Sequence, residues 1–320
     1  MNVDFRIPFP RISQEGVESP EDEWISGTIH YPVGTSPGQG SESKPTSILI
    51  LCHGIAAHRN SPKLYPLVAE RLSFPTLRFD FRGCGMSSGS VLRMVDYFRC
   101  VDDLALVLDW LRKQGGWKVE GVVGHSMGSM FPLASPRLIS LSGRFAMKQG
   151  LTEKVVRDGV VPKEQMHSIL AAKQLNERRD EFTVKGWRSG RVDESGNVVR
   201  GSVVEYSLCI QEAIALWERI DSLLPSLKEL PSHIQSLIIH GDEDEIVPAK
   251  DALLFEKVLP NNSLHLIVKG NHNLTGKEDG DEGRLHIDVV ANIIVEWVHK
   301  LGTFLTISQS YELILIMQFL

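Results

Sequence analysis

The chain has 320 residues, of which 42% are hydrophobic and 23% are charged, and its formal net charge at pH 7 is -6. This composition excludes a disordered protein, and the scattered Lys and Arg residues give no basic segment for nucleic acid. We therefore predict one large globular domain, or a domain with a subdomain, and no nucleic-acid partner.

The N-terminal segment carries Asp4 and Pro8 where a signal peptide would have basic residues followed by an apolar block. This pattern predicts that the protein is not secreted. The segment EWISGTIHYP at residues 23–32 is typical of a strand. We interpret it as an antiparallel strand added at the edge of a sheet.

Six short apolar runs bounded by turn residues are typical of strands that are buried on both faces. They cover residues 47–52, 76–81, 119–124, 137–142, 236–241 and 264–270. Amphipathic helical patterns occur among them, at residues 95–111 and 287–298. This alternation predicts an α/β fold with a mainly parallel central sheet and helices on both of its faces.

The alternation stops in the segment of residues 146–230. Its patterns predict helices at residues 149–158, 163–181 and 204–224, and a hairpin that turns at residues 193–197. Because this block lies between two core strands, we interpret it as a cap over the carboxyl edge of the sheet, where ligands bind in open parallel sheets. The predicted organisation is two core segments (1–145 and 231–302), the cap (146–230) and an atypical apolar tail (303–320).

The segment GHSMG follows a predicted strand and matches the pattern G-x-S-x-G. In this pattern the serine lies on a strained turn, and the glycines keep side chains away from the neighbouring strand and helix. We therefore predict that Ser126 is a nucleophile and that Gly124 and Gly128 support it. The match is short, so the prediction depends on finding the other groups of a hydrolytic site.

A serine hydroxyl becomes a good nucleophile when an imidazole accepts its proton and a carboxylate fixes that imidazole. The loop HGDEDEIVP offers four acids, and we choose Asp244 because it stands three residues after Gly241. Asp242 is more typical of a turn or capping residue. His272 is chosen as the base because it falls in a loop directly after a predicted core strand. Serine hydrolases of different folds have their triad residues in different chain orders, and the order serine, acid, histidine seen in Ser126, Asp244 and His272 is typical of one of these folds.

A predicted core strand ends in the segment LCHGIAAHRN, at His53 and Gly54. A glycine at a strand end allows the backbone N–H of the next residue to point into a site. We predict that the N–H groups of Ile55 and Met127 form an oxyanion hole, supported by His53 and Gly54. Loss of one such donor typically costs about 3 kcal/mol of transition-state stabilisation.

Together these motifs resemble the α/β-hydrolase superfamily, in particular its esterase and lipase branch related to cinnamoyl (feruloyl) esterases and serine aminopeptidase-like hydrolases. The resemblance covers about residues 46–300. It rests on the segments LCHGIAAHRNSP, LRFDFRGCGMSSGS, VVGHSMGS, SLSGRF, IHGDEDEIVP and KGNHNLTG. It implies the α/β-hydrolase fold and the catalytic and oxyanion roles given above to Ser126, Asp244, His272, Ile55 and Met127.

The resulting hypothesis is a serine hydrolase that cleaves small-molecule carboxylic esters through an acyl-enzyme, without a metal or cofactor. A thioesterase or an aminopeptidase of the same fold is an alternative. A non-catalytic or destabilised variant is another, because Pro132 and Pro136 leave only a short helix after Ser126. The connection between the strand before Ser126 and the strand at residues 137–142 is therefore short. A splice form or gene model that lacks a short segment would explain it, and could equally explain the tail after Gly302.

The four cysteines, Cys52, Cys84, Cys100 and Cys209, lie far apart without CxxC spacing. This pattern predicts reduced, buried thiols and a cytoplasmic protein rather than a disulfide or zinc framework. The apolar segment at residues 311–320 is too short to cross a bilayer, which takes about 20 residues. We therefore predict no transmembrane segment.

Overall fold

The structure is a computed structural model that describes residues 1–9, 23–35, 45–55, 57–61, 63–89, 93, 96–130, 137–171, 180–188, 191–192, 198–199, 201–279 and 284–300. The strands found there are β1 (Asn2–Pro8), β2 (Trp24–His30), β3 (Thr46–Cys52), β4 (Thr76–Phe79), β5 (Trp117–His125), β6 (Arg137–Leu141), β7 (Glu181–Arg188), β8 (Arg191–Val192), β9 (Val198–Val199), β10 (Ser202–Cys209), β11 (Gln235–Gly241) and β12 (Asn262–Ile267). The α-helices are α1 (Leu64–Arg71), α2 (Tyr97–Gln114), α3 (Met147–Arg157), α4 (Lys163–Ala171), α5 (Ile210–Ser222), α6 (Lys250–Val258) and α7 (Arg284–Lys300). Short 3₁₀ helices cover Ser126–Met130, Leu224–Glu229 and Lys277–Asp279.

An eight-stranded sheet forms the centre of the fold, in the order β1-β2-β4-β3-β5-β6-β11-β12. The pairs β1–β2 and β2–β4 are antiparallel, whereas every pair from β4 through β3, β5, β6 and β11 to β12 is parallel. This topology confirms the predicted α/β fold with a mainly parallel sheet.

Strands β3, β4, β5, β6 and β11 are largely buried, as their continuous apolar runs predict. The prediction is wrong for the run at residues 264–270, because β12 is an edge strand and Leu266 is 43% exposed. In β3, Ile48 and Ile50 pack in the cluster that contains α2, whereas Leu49 and Leu51 pack in the cluster that contains α1 and α7. The alternation follows from the period of two in a strand. Because these strands are parallel, their carboxyl ends lie at one edge of the sheet, between two helical layers.

The edge-strand prediction for residues 23–32 is wrong in one respect. β2 is antiparallel to β4, as expected, but β1 pairs along its other side and is the edge strand. The side chain of Phe5 in β1 stacks on Trp110 of α2, with ring centroids 4.6 Å apart. That long-range contact buries the inward face of β1, on which Val3, Phe5 and Ile7 alternate with exposed polar residues.

The helix predicted over residues 204–224 begins only at Ile210, because residues 204–209 belong to β10. β10 pairs with β7 in an antiparallel hairpin. The alternating residues that face inward in β10 are Val204, Tyr206 and Leu208, which are partly or fully buried, whereas Glu205 and Ser207 are exposed. This period of two identifies a strand with one solvated face, so the prediction of a helix is wrong for residues 204–209.

The helix predicted over residues 163–181 also ends early, at Ala171, and residue 181 already belongs to β7. The predicted hairpin is supported by the antiparallel pair β8–β9, although its turn at residues 193–197 lies outside the described residues. The third helix predicted in this block, at residues 149–158, corresponds to α3.

Helices α3, α4 and α5 pack into the same apolar cluster as α2. Apolar side chains of the block that are buried include Val155, Ile169, Leu208, Ile214 and Trp217, whereas Leu170 is 44% exposed. The block therefore packs on the α2 side of the sheet, and its role as a cap stays a prediction.

Immediately after Ser126 the chain forms the 3₁₀ helix Ser126–Met130 rather than an α-helix. Pro132, Pro136 and the tail at residues 303–320 lie outside the described residues. All four cysteines are free and buried, as predicted. Among the helices of the described ranges, none combines the length and apolar character needed to cross a membrane.

Candidate functional site

Ser126 stands at the end of β5, the fifth strand of the central sheet counted from β1. Its φ of 54° is in the left-handed region, which costs free energy for any residue with a side chain. This strained turn requires glycines around it. A Cβ on Gly124 would lie 1.9 Å from the Gly128 carbonyl oxygen, and a Cβ on Gly128 would lie 2.5 Å from the Cys52 oxygen. The G-x-S-x-G spacing thus reflects backbone contact on both sides of the serine.

The structure brings Ser126, His272 and Asp244 together. His272 Nε2 lies 3.0 Å from Ser126 Oγ, and His272 Nδ1 lies 2.8 Å from Asp244 Oδ2. A carboxylate only accepts hydrogen bonds, so the Nδ1–H donates to Asp244 and the Nε2 lone pair faces the Ser126 hydroxyl. This is the tautomer in which an imidazole can accept a proton from the serine.

The carboxylate of Asp244 is fully buried and held on both oxygens. Its Oδ1 accepts the backbone N–H groups of Ile246 and Val247 at 2.9 Å and 2.7 Å. Burial acts to raise the pKa of Asp244, but the hydrogen-bonding contacts with His240 and His272 outweigh it and hold the pKa well below its ordinary value. Asp244 is therefore ionised at neutral pH.

The loops after β11 and β12 approach each other at the main chain, which places Asp244 beside His272. A Cβ on Gly241 would lie 2.1 Å from the Gly270 carbonyl oxygen, so this approach requires glycine. Asp242 is exposed and accepts the backbone N–H of Lys269 at 2.6 Å. Asp242 therefore has the turn-forming role that we expected, away from His272.

The segment after β3 lies against the serine turn. A Cβ on Gly54 would be 3.1 Å from the Ser126 Cβ. His53 is buried, donates from Nδ1 to the Gly54 oxygen at 2.7 Å and accepts the Phe81 N–H on Nε2 at 3.0 Å. Burial lowers the pKa of His53 to about 4, so the ring is neutral and can make both bonds.

Ile55 follows Gly54 and is 37% exposed. Met127 follows Ser126 and is partly buried against the cluster that contains α2 and the predicted cap. Gly54, which precedes Ile55, and Ser126, which precedes Met127, lie against each other at the site. The oxyanion roles of the Ile55 and Met127 N–H groups stay predictions.

Two buried histidines at the site were missed in the sequence. His125 donates from Nε2 to the His272 main-chain oxygen at 2.8 Å, and His240 lies 3.2 Å from Asp244 Oδ2 through its Nε2. His125 occupies a position that G-x-S-x-G leaves free, so the pattern carried no information about it. His240 lies within a strand, and its neighbourhood to Asp244 in the chain was the only available signal.

Within the described ranges, no three His, Cys, Asp or Glu side chains are grouped so that they could hold a metal ion. The arrangement of Ser126, His272 and Asp244 can transfer a proton from a hydroxyl to an imidazole that a carboxylate orients. Such a site is suited to acyl transfer.

The Alpha/beta hydrolase family model matches residues 49–282 of the chain. A search of curated protein sequences gives no significant match. The matched segment contains Ser126, Asp244 and His272, together with the loop that carries His53 and Gly54.

Many solved structures share the fold. Est1E from Butyrivibrio proteoclasticus, solved with ferulic acid bound, has a TM-score of 0.56 and 18% sequence identity, over 90% of this chain and 97% of that chain. The esterase domain of a Rhodothermus marinus protein has a TM-score of 0.54 and 17% identity, over 94% and 98%. A monoacylglycerol lipase from Paleococcus ferrophilus has a TM-score of 0.53 and 15% identity, over 86% and 98%. At these identities the likeness shows a common fold.

Proposed function

The chain belongs to the alpha/beta hydrolase family, and from this premise we propose that it is a serine hydrolase that cleaves carboxylic esters through an acyl-enzyme. The observation that carries the proposal is the continuous contact from Ser126 Oγ through the His272 ring to Asp244 Oδ2, at 3.0 Å and 2.8 Å. These distances place the three groups in the order that proton transfer from the serine to the imidazole requires.

In the acylation step, Ser126 Oγ attacks the carbonyl carbon of the ester while its proton moves to His272 Nε2. The tetrahedral intermediate carries its negative charge on the former carbonyl oxygen. We assign the stabilisation of that charge to the N–H groups of Ile55 and Met127. Collapse of the intermediate breaks the bond to the alcohol oxygen, which receives the proton from His272 Nε2.

In the deacylation step, water attacks the acyl-enzyme carbonyl and gives a proton to His272 Nε2. The second tetrahedral intermediate collapses with cleavage of the bond to Ser126 Oγ, which regains its proton from His272. Asp244 stays ionised throughout and stabilises the imidazolium form of His272. The products are the carboxylic acid and the alcohol.

The choice of esters is supported by solved structures of the same fold that are named as an esterase domain and as an esterase. Thioesters and aminoacyl amides would react through the same steps, so a substrate panel separates them. We also propose that the segment 146–230 caps the site and selects the acyl group. The cytoplasmic location stays a prediction.

A fluorophosphonate probe tests the proposal, because it labels a serine only where a neighbouring base has activated it. The wild-type protein should be labelled and should hydrolyse p-nitrophenyl acetate, and Ser126→Ala should abolish both. Ser129→Ala is the matched control, since Ser129 belongs to the same turn and donates from Oγ to the Ser126 main-chain oxygen at 2.6 Å. Retained labelling of Ser126→Ala, or no labelling of a folded wild type, would contradict the proposal.

The panel then compares p-nitrophenyl esters, acyl-CoA thioesters and aminoacyl p-nitroanilides at equal enzyme concentration. We expect the highest kcat/KM for the oxygen esters. A folded protein that fails on all three classes would favour the non-catalytic alternative.

A further inference from the structure

His240 is the penultimate residue of β11 and is buried. Its Nε2 lies 2.9 Å from the Val247 main-chain oxygen and 3.2 Å from Asp244 Oδ2. Both of these oxygens can only accept a hydrogen bond, because Asp244 is ionised. The Nε2 of His240 therefore carries a hydrogen, directed at the Val247 carbonyl with the carboxylate beside it.

The other ring nitrogen, Nδ1, is buried and has no hydrogen-bond partner among the described residues. A buried polar atom without a partner is unfavourable, and an apolar side chain would fill the same volume without that cost. Packing alone therefore does not explain a histidine here. A leucine at this position would fill the volume but could not make the contacts of the His240 Nε2–H.

These contacts close a ring around the Asp244 carboxylate. The Val247 N–H donates to Asp244 Oδ1 at 2.7 Å, while the Val247 oxygen accepts from His240 Nε2 at 2.9 Å. On the other oxygen, Oδ2, the His272 Nδ1–H and the His240 Nε2–H approach together. The carboxylate is thus fixed from β11, from its own loop and from the proposed base.

We propose that His240 is a positioning residue of the hydrolytic site, whose Nε2–H is bonded to the Val247 oxygen and lies beside Asp244 Oδ2, and so keeps this carboxylate in the orientation that accepts the His272 Nδ1–H. The inference rests on the proposed function of Ser126, His272 and Asp244. His240 acts through Asp244 and the Val247 carbonyl. It does not touch the reacting atoms.

Three substitutions test this role. In His240→Gln the side-chain amide can donate from near the position of Nε2, in His240→Asn the amide falls near Nδ1, and His240→Leu has no donor. With p-nitrophenyl acetate we expect His240→Leu and His240→Asn to lower kcat about tenfold or more, by analogy with the groups that orient metal-binding histidines. KM should stay unchanged, and His240→Gln should recover most of kcat.

Ile238→Ala is a matched control. Ile238 is also buried in β11, two residues before His240, and packs in the apolar cluster that contains Leu138 and Phe255. We expect this control to lose stability while its kcat stays within about twofold of the wild type. A loss of kcat as large as that of His240→Leu would mean that general loosening explains the effect, and would overturn the positioning role.

A readout independent of turnover separates this inference from the proposed function. The hydrogen on His272 Nδ1 should give a downfield proton resonance in Ser126→Ala, and adding His240→Leu should shift or broaden it, whereas adding His240→Gln should preserve it. An unchanged resonance with His240→Leu would overturn the inference even if the enzyme is an esterase. Labelling of Ser126→Ala would instead contradict the proposed function and leave this resonance test intact. If His240→Leu does not fold, the comparison of His240→Gln with His240→Asn decides the question by the same criteria.

Discussion

His125, the residue before Ser126, donates from Nε2 to the main-chain oxygen of His272 over 2.8 Å. The rings of the two histidines lie with their centroids 5.0 Å apart. The strand that carries the proposed nucleophile thus also holds the loop that carries the proposed base. Burial lowers the pKa of His125 to about 3, so this ring is neutral at physiological pH.

The buried, neutral state of His125 and His53 predicts that the protein loses stability in mild acid. Their folded-state pKa values of about 3 and about 4 lie below the ordinary value of 6.5. As the pH falls below 6.5, the unfolded chain binds protons that the folded protein does not, so the free energy of unfolding decreases. Each histidine should contribute a loss of about 2 kcal/mol between pH 8 and pH 5.

Urea unfolding at pH 8, 7, 6 and 5 measures this loss, and His125→Gln is the comparison. The variant should be less stable than the wild type at pH 7, because the bond to the His272 oxygen is weakened. Its free energy of unfolding should, however, fall by about 2 kcal/mol less between pH 8 and pH 5. Equal pH dependence of the two proteins would show that His125 is not a buried neutral group.

Asp244 and Asp242 offer a direct comparison of two acids in one loop. Asp244→Asn should lower kcat by about 10⁴-fold, because an amide at Oδ2 can donate to His272 Nδ1 and favour the wrong tautomer. Asp242→Asn should change kcat by no more than about twofold, because an exposed amide oxygen can still accept the Lys269 N–H. Steady-state kinetics with p-nitrophenyl acetate measures both. A larger loss in Asp242→Asn would mean that the acid is assigned to the wrong residue.

Adding a single methyl group at Gly124 should strongly lower the free energy of unfolding of the protein. In Gly124→Ala the new Cβ would lie 1.9 Å from a backbone oxygen of Gly128, and backbone atoms cannot move aside as a side chain can. We expect a loss of more than about 3 kcal/mol in the free energy of unfolding, or no folded protein. Gly34→Ala is the control, since its Cβ would meet nothing within 4 Å and only its φ of 85° is unfavourable.

The control should lose about 1 kcal/mol, the cost of a left-handed residue with a side chain. Thermal unfolding followed by circular dichroism compares the two variants. A Gly124→Ala protein as stable as Gly34→Ala would mean that the serine turn adapts easily, and the glycine requirement would then be wrong.

The positions of the site residues followed from the sequence because the fold makes them predictable. Ser126 and Asp244 follow the buried strands β5 and β11, and His272 follows the edge strand β12; parallel strands bring their carboxyl ends to one edge of the sheet. Sequence spacing therefore predicted which residues would meet. It did not predict the contacts of His125 and His240, because those depend on how closely two loops approach in space.

Two of the observed strands differ from the predicted elements. β1 carries a local strand signal, since Val3, Phe5 and Ile7 alternate with polar residues, and it is absent from the predicted strands. β10 carries the same kind of alternation, but the helix that follows it obscures the boundary. Short strands beside helices are distinguished by tertiary pairing, in this case with β7.

The segment 146–230 is expected to select the acyl group of the substrate. Val156 and Val160 are half-buried against the same apolar cluster as Met127, the residue after the proposed nucleophile. If this segment covers the acyl-binding cleft, Val156→Phe and Val160→Phe should reduce the space for a long acyl chain. We expect the ratio of kcat/KM for p-nitrophenyl octanoate over acetate to fall about tenfold, roughly the effect of one methylene group in an apolar pocket.

Val289→Phe is the matched control for these variants, because Val289 is exposed on α7, which packs on the opposite face of the sheet. This control should leave the octanoate-to-acetate ratio unchanged. The rate of fluorophosphonate labelling should be similar in all three variants, since the triad itself is untouched. An unchanged ratio in both Val156→Phe and Val160→Phe, with normal labelling, would mean that these residues of segment 146–230 pack only on the core and that substrate selection resides elsewhere.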